Sequence, residues 1–224
     1  MCKFLSAIVL KNGDIICDPE HTDSHSDLVA AFNLRDDDQY VDRFVKVEFT
    51  PPINAENLPN YSDFANYDFR VDERGEPYWF GEVRERAIEK LRDRVARMIV
   101  TESRPMLLGG CWIIGGHAQI ARLNSGRVVS LSDRAKIGDV YGTAQIGNVY
   151  GAAKIGDVYD RAKISDVYGT AQIGNVYGAA QIDHVFDRAK ISDVYGAAQI
   201  VTDHRIKPAP VVAKPKRKAA KKSI

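Results

Sequence analysis

From Ala135 to Ile200 a nine-residue unit recurs seven times and begins an eighth, running from Ala-Lys-Ile-Gly-Asp-Val-Tyr-Gly-Thr at 135–143 to Ala-Lys-Ile-Ser-Asp-Val-Tyr-Gly-Ala at 189–197. A short fixed period means stacked copies of one unit, none of which buries its apolar side alone. Read from its valine, the unit alternates with period two, as in Val140-Tyr-Gly-Thr-Ala-Gln-Ile146. This spacing predicts a seven-residue strand with Val, Gly, Ala and Ile on one face, and Tyr, a variable residue and Lys or Gln on the other. The pairs between these runs, such as Gly138-Asp139, Gly147-Asn148 and Ser165-Asp166, read as corners because Gly, Asn and Asp tolerate left-handed backbone angles.

Two architectures satisfy this pattern. Two-residue Gly-Asn and Gly-Asp links suit an antiparallel meander, whereas a parallel β-solenoid uses each pair as a corner. The meander leaves a whole apolar sheet face uncovered; the solenoid wraps that face inward, so burial favours it. Asp-Arg replaces Gly-Thr or Gly-Ala at 160–161 and 187–188, and Asp133-Arg134 keeps the same phase. These substitutions define a 27-residue superperiod. A three-sided coil would stack Asp133, Asp160 and Asp187 in one column, while duplication of a three-unit block gives the same superperiod with any coil size.

The repeats resemble the short-period, hexapeptide-like β-solenoid proteins of bacteria and phages, through their Ala-x-Ile and Tyr-Gly steps over about residues 108–200. They depart from the hexapeptide rule because isoleucine returns once per nine-residue unit. The whole arrangement of head, repeats and tail also looks like uncharacterised bacteriophage proteins. The first resemblance implies a solenoid, and with it an acyltransferase activity in which His117 or His184 would serve as base.

Charge divides the chain into three parts: residues 1–106 carry a net −7, residues 107–205 a net +1 and residues 206–224 a net +7. The domain reading is therefore a small acidic α+β domain at 1–106, a solenoid at 107–203 and a Lys/Pro/Ala-rich basic tail at 204–224 that is too polar to fold alone. In the head, residues 4–10 and 15–17 flank Asn12-Gly13, the strongest short hairpin signal. A helix capped by Asp23 or Ser24 is expected over 24–34, strands over 43–49 and 68–72, and a long amphipathic helix over 80–100 with Glu82/Arg86 and Asp93/Arg97 pairs. That helix runs without a linker into 105–114, so the head is expected to pack on the first coil. Three cysteines, no long apolar run and no signal-like N-terminus point to the cytoplasm and to no membrane partner.

The regular aromatics Tyr141, Tyr150, Tyr159, Tyr168, Tyr177 and Tyr195 beside Lys136, Lys163 and Lys190 suggest a surface that stacks bases or sugar rings, although such ladders also simply stabilise neighbouring strands. Lys214, Lys216, Arg217, Lys218, Lys221 and Lys222 read as an arm for nucleic acid or another polyanion. Cys17, His21 and His25 form the densest group of metal-ligand types, a zinc-like spacing that local capping and surface hydrogen bonds also explain. No cofactor is otherwise expected. No nucleophile elbow, P-loop or dinucleotide fingerprint is present, and Cys111 lies in an apolar run as a core thiol. The expectation is a non-enzymatic binding or scaffold protein. The alternatives are an enzyme, metal-dependent or acyltransferase, and a structural protein that associates with itself.

Overall fold

The computed structural model describes residues 4–34, 43–55, 58–61, 63–72 and 75–205. The expected basic tail, from residue 206 onward, lies outside them.

The head forms as its local signals require. Strands β1 (Leu5–Leu10) and β2 (Ile15–Ile16) flank the Asn12-Gly13 turn, with Gly13 at φ 78°, and helix α1 (His25–Ala31) follows with Ser24 as N-cap. Strands β3 (Phe44–Thr50) and β4 (Asp68–Val71) complete an antiparallel sheet in the order β2-β1-β3-β4. Helix α2 (Phe80–Met98) buries Phe80, Val83, Ala87, Leu91, Val95 and Met98 at helical spacing against one sheet face. The opposite face, through Ile8 and Phe44, packs on Leu28 of α1. The expected Glu82/Arg86 and Asp93/Arg97 pairs give way to backbone partners. Arg86 donates to Asn12 O at 2.9 Å, Lys90 donates to Gly13 O at 2.8 Å, and Arg97 donates to Asp93 O. Thus α2 clamps the hairpin turn.

The long helix ends at Met98 because the next residues already belong to the solenoid. Its strands are β5 (Ile99–Val100), β6 (Arg104–Leu107), β7 (Cys111–Ile114), β8 (Gln119–Leu123), β9 (Arg127–Leu131), β10 (Lys136–Val140), β11 (Gln145–Val149), β12 (Lys154–Val158), β13 (Lys163–Val167), β14 (Gln172–Ile173), β15 (Gln181–Val185), β16 (Lys190–Ile191) and β17 (Gln199–Asp203). All pairings among them are parallel. They form a six-stranded sheet, β16-β14-β12-β10-β8-β6, and a seven-stranded sheet, β17-β15-β13-β11-β9-β7-β5. The result is a two-sided solenoid of about six turns.

The coil takes two repeat units rather than three: Lys136 pairs with Lys154, and Gln145 pairs with Lys163. Each nine-residue unit is half a turn, contributing one strand to one sheet and one corner. The corner also lies elsewhere than the Gly-Asp and Gly-Asn pairs, most of which sit inside strands of the form Lys-Ile-Gly-Asp-Val. The chain reverses after the tyrosine, where one residue per unit takes a left-handed conformation, as at Gly142 (φ 65°), Gly151 (φ 69°) and Asp160 (φ 60°). Glycine and aspartate are residues that reach this region at low cost.

The Asp-Arg superperiod therefore records variation at corners and builds no single column. With two units per coil, Asp133 and Asp187 follow strands of the seven-stranded sheet, whereas Asp160 follows the six-stranded one. Each carboxylate instead caps the coil before it: Asp133 accepts from Gly116 N at 2.7 Å, Asp160 from Gly142 N at 2.9 Å and Asp187 from Gly169 N at 3.0 Å.

The inner face is built from Ile, Val and Ala. Ile137, Ile155 and Ile173 stack in one column, Val140, Val158 and Val176 in another, and the corner alanines from Ala135 to Ala189 close the sides. The glycine assigned to this face by alternation is the left-handed corner residue. Outward positions Cys111, Ile113 and Val129 of the seven-stranded sheet join the core of the head. Arg127 reaches Asp23 at 3.3 Å, and Tyr150 Oη donates to Pro59 O at 3.3 Å. The head thus packs on the first coils through one sheet face. At the other end the last coil has no cover among the described residues: Val194, Tyr195 and Val201 are exposed.

Candidate binding surfaces

The outer face of the six-stranded sheet is the most regular exposed surface. The first residues of successive strands, Gln119, Lys136, Lys154, Gln172 and Lys190, stand in register as one row. Beside them runs a trough of Ala121, Gly138, Gly156 and Gly174, in which the coils approach closely. A Cβ on Gly156 would fall 2.1 Å from Gly138 O, and one on Gly138 would fall 2.4 Å from Ala121 O. Glycine keeps the trough bare. A groove of about 740 Å³ follows it, edged by Arg104, Gln119, Lys136 and Lys154. Asp139 and Asp157 stand in register one position further along the same strands.

The tyrosines form two columns on opposite edges, one per sheet. Tyr141, Tyr159, Tyr177 and Tyr195 stack at centroid separations of 4.8, 5.1 and 5.0 Å with planes within 9° of parallel. Tyr168, Phe186 and His204 form the second column, at 4.8 Å for each step. Tyr150 belongs to the same edge but is turned to the head. In the first column Tyr159 and Tyr177 have a ring on both sides, so no base or sugar ring can stack on their faces. Tyr141 and Tyr159 donate to Asp139 and Asp157 at 3.3 and 3.2 Å. Partial burial in the stack, with the Asp157 carboxylate adding to it, pushes the Tyr159 hydroxyl up to about 12. These rings act first as a ladder between coils.

The three lysines singled out from the repeats also separate: Lys136 and Lys190 share the six-stranded face, while Lys163 stands on the seven-stranded one. Lys154 and Arg104, overlooked in the sequence, complete the first set. The missed signal is the return of Lys-Ile-Gly-Asp-Val-Tyr in alternate units, at 136 and 154. Lys214, Lys216, Arg217, Lys218, Lys221 and Lys222 lie outside the described residues.

Comparison with known protein families, with curated proteins and with solved structures finds no match to this chain.

The expected metal ligands are not brought together as a set. His21 is exposed, and its Nδ1 lies 2.9 Å from Asp18, whose hydrogen bond raises the ring's pKa. Burial raises the Cys17 thiol and pushes Cys111 up to about 12, so both remain protonated and are poor nucleophiles. His25, by contrast, is buried and meets two carboxylates from distant strands, Glu48 and Asp72. Among the described residues this is the only group of three His, Cys, Asp or Glu side chains whose ligand atoms converge. Of the histidines considered as a base, His117 is exposed on the turn before β8. His184 is held in β15, its ring 6.0 Å from Phe186.

Proposed function

We propose that this protein is a non-catalytic binding scaffold that engages nucleic acid or another polyanion through its basic segment and the lysine row of the six-stranded face. The observation carrying this reading is the placement of Lys136 and Lys154 on adjacent rungs beside a bare groove, with Arg104 at the same edge. Adjacent rungs stand about 4.8 Å apart, so the two ammonium groups repel each other and an anionic chain lying along the row relieves that repulsion. Neither lysine forms an ion pair among the described residues. The acidic head repels such a ligand and confines it to the solenoid and the tail.

Binding of the full chain to a labelled DNA duplex and to heparin, measured between about 50 and 200 mM salt, tests the proposal. Replacing Lys136 and Lys154 with Gln should reduce the slope of log affinity against log salt by about 0.9 per lost contact on duplex DNA. Replacing the six tail cations from Lys214 to Lys222 with Gln should reduce it further. Unchanged affinity and slope in both variants overturn the proposal.

A second reading, self-association, is favoured by the last coil, where among the described residues nothing covers the edges of β16 and β17 or the exposed side chains of Val194 and Val201. Under this reading sedimentation mass rises with concentration, and Val201→Lys abolishes the rise. A constant monomer mass rejects it.

A further inference from the structure

The His25 imidazole, 5% exposed, lies where the start of α1 meets the β3–β4 edge of the head sheet. Both of its nitrogens face oxygen acceptors. Nε2 stands 2.9 Å from Val47 O, and because a carbonyl only accepts, Nε2 carries the proton. Nδ1 therefore turns the other way, 3.1 Å from Asp72 Oδ2. Glu48 adds a second carboxylate, and one donor atom from each of the three side chains lies within 4.8 Å of the others. Arg70, the cross-strand partner of Glu48, gives its guanidinium to Asp68 at 2.5 Å.

A ring with one N–H fixed by a backbone carbonyl and its other nitrogen turned to carboxylates has the arrangement of a metal-binding histidine with its outer hydrogen bond in place. The electrostatics point the same way. Glu48 and Asp72 bring two negative charges to the side of the ring that carries Nδ1, and a divalent cation placed among the three donor atoms meets both directly. The surrounding segment, residues 1–106, has a net charge of −7 and attracts cations.

We propose that His25 Nδ1, Glu48 and Asp72 bind one divalent transition-metal ion, zinc first among them, which pins the start of α1 to the β3–β4 edge. Zinc bonds of about 2.0–2.2 Å place tetrahedral ligand atoms roughly 3.3–3.5 Å apart. The Nδ1–Oδ2 separation is already close to this, and rotation of the Glu48 side chain brings in the third donor. The Asp72 side chain is half exposed, leaving the fourth position to water. A buried imidazole nitrogen among the donors selects against calcium and magnesium, which favour all-oxygen sets.

The test uses the full chain, stripped with a chelator and titrated with zinc against a chromogenic competitor; cobalt uptake is followed in parallel by its visible absorption. One equivalent of zinc should bind, the melting temperature should rise with it, and excess calcium should displace none. Asp72→Asn and Glu48→Gln, both at solvent-accessible positions and checked for folding by circular dichroism, should each weaken binding at least tenfold, whereas His21→Ala should leave it unchanged. Failure to take up stoichiometric zinc overturns the proposal. Equal uptake by the Asp72→Asn and Glu48→Gln variants also overturns it, because the ion is then held elsewhere.

Discussion

A pair of engineered cysteines distinguishes the two-unit coil from any other. Gln145 and Lys163 are exposed, directly paired residues of β11 and β13. Neighbouring strands stand about 4.8 Å apart, within the roughly 4.4–6.8 Å Cα separation that a disulfide spans. Gln145→Cys/Lys163→Cys should therefore oxidise readily. Lys136→Cys/Lys163→Cys, which lie three units apart, should not, because those side chains point away from each other on opposite sheets. Closing the two-unit loop removes about 3 kcal/mol of unfolded-chain entropy, equivalent to a rise of roughly 6–12 °C in melting temperature for a chain of this size. The assay is a thermal melt with and without reductant, with the cross-link located by peptide mass spectrometry. Of the three native cysteines, Cys111 is buried and Cys17 half-buried, and Cys2, which lies outside the described residues, is replaced by Ser in every variant so that it cannot compete. Efficient oxidation of the three-unit pair together with failure of the two-unit pair would refute the register and the two-sided coil.

The stacked core makes a graded prediction: Ile155→Ala, in the middle of its column, should cost about 3–4 kcal/mol in chemical denaturation, within the usual range for buried Ile→Ala. Ile200→Ala, on the half-buried last rung, should cost less than half as much, and equal losses would show that the end coil is covered. Stability should also fall in alkali. Burial pushes Cys111 from about 9 and Tyr61 from about 10 up to about 12 in the folded chain, so the folded state holds these protons more tightly than the unfolded state. Their contribution is complete below pH 9 and disappears as the pH rises through 12. A flat unfolding free energy from about pH 8.5 to 11.5 would contradict that assignment, as would rapid alkylation of Cys111 at about pH 8.

The candidate surfaces were only partly legible in the sequence. The Tyr slot and the Lys slot were visible as positions in a repeat. Which tyrosines stack on which, and which lysines share a face, depend on how many units make one coil. Taking the Gly-Asp pairs as corners was reasonable chemistry, yet the left-handed residue follows the tyrosine, and the Asp at 160 and 187 marks that position as well as glycine does. His25 was singled out for its neighbours in sequence, Cys17 and His21. Its actual carboxylate neighbours, Glu48 and Asp72, come from a strand and a strand end much further along the chain, and no local spacing announces them.

The sequence by itself determined the acidic head with its hairpin and helices, the parallel solenoid built on Ile, Val and Ala, and the separation of charge along the chain. These follow from local turn chemistry and periodicity, which act over a few residues. Tertiary structure alone decided the two-unit coil, the two aromatic columns, the packing of the head on Ile113 and Val129, and the meeting of His25 with Glu48 and Asp72. A nine-residue period is equally compatible with two or three units per turn. The choice rests on the angle turned at each left-handed corner and on the contacts made after a full coil, where each backbone N–H finds its partner two units back, as Lys154 N does on Ala135 O.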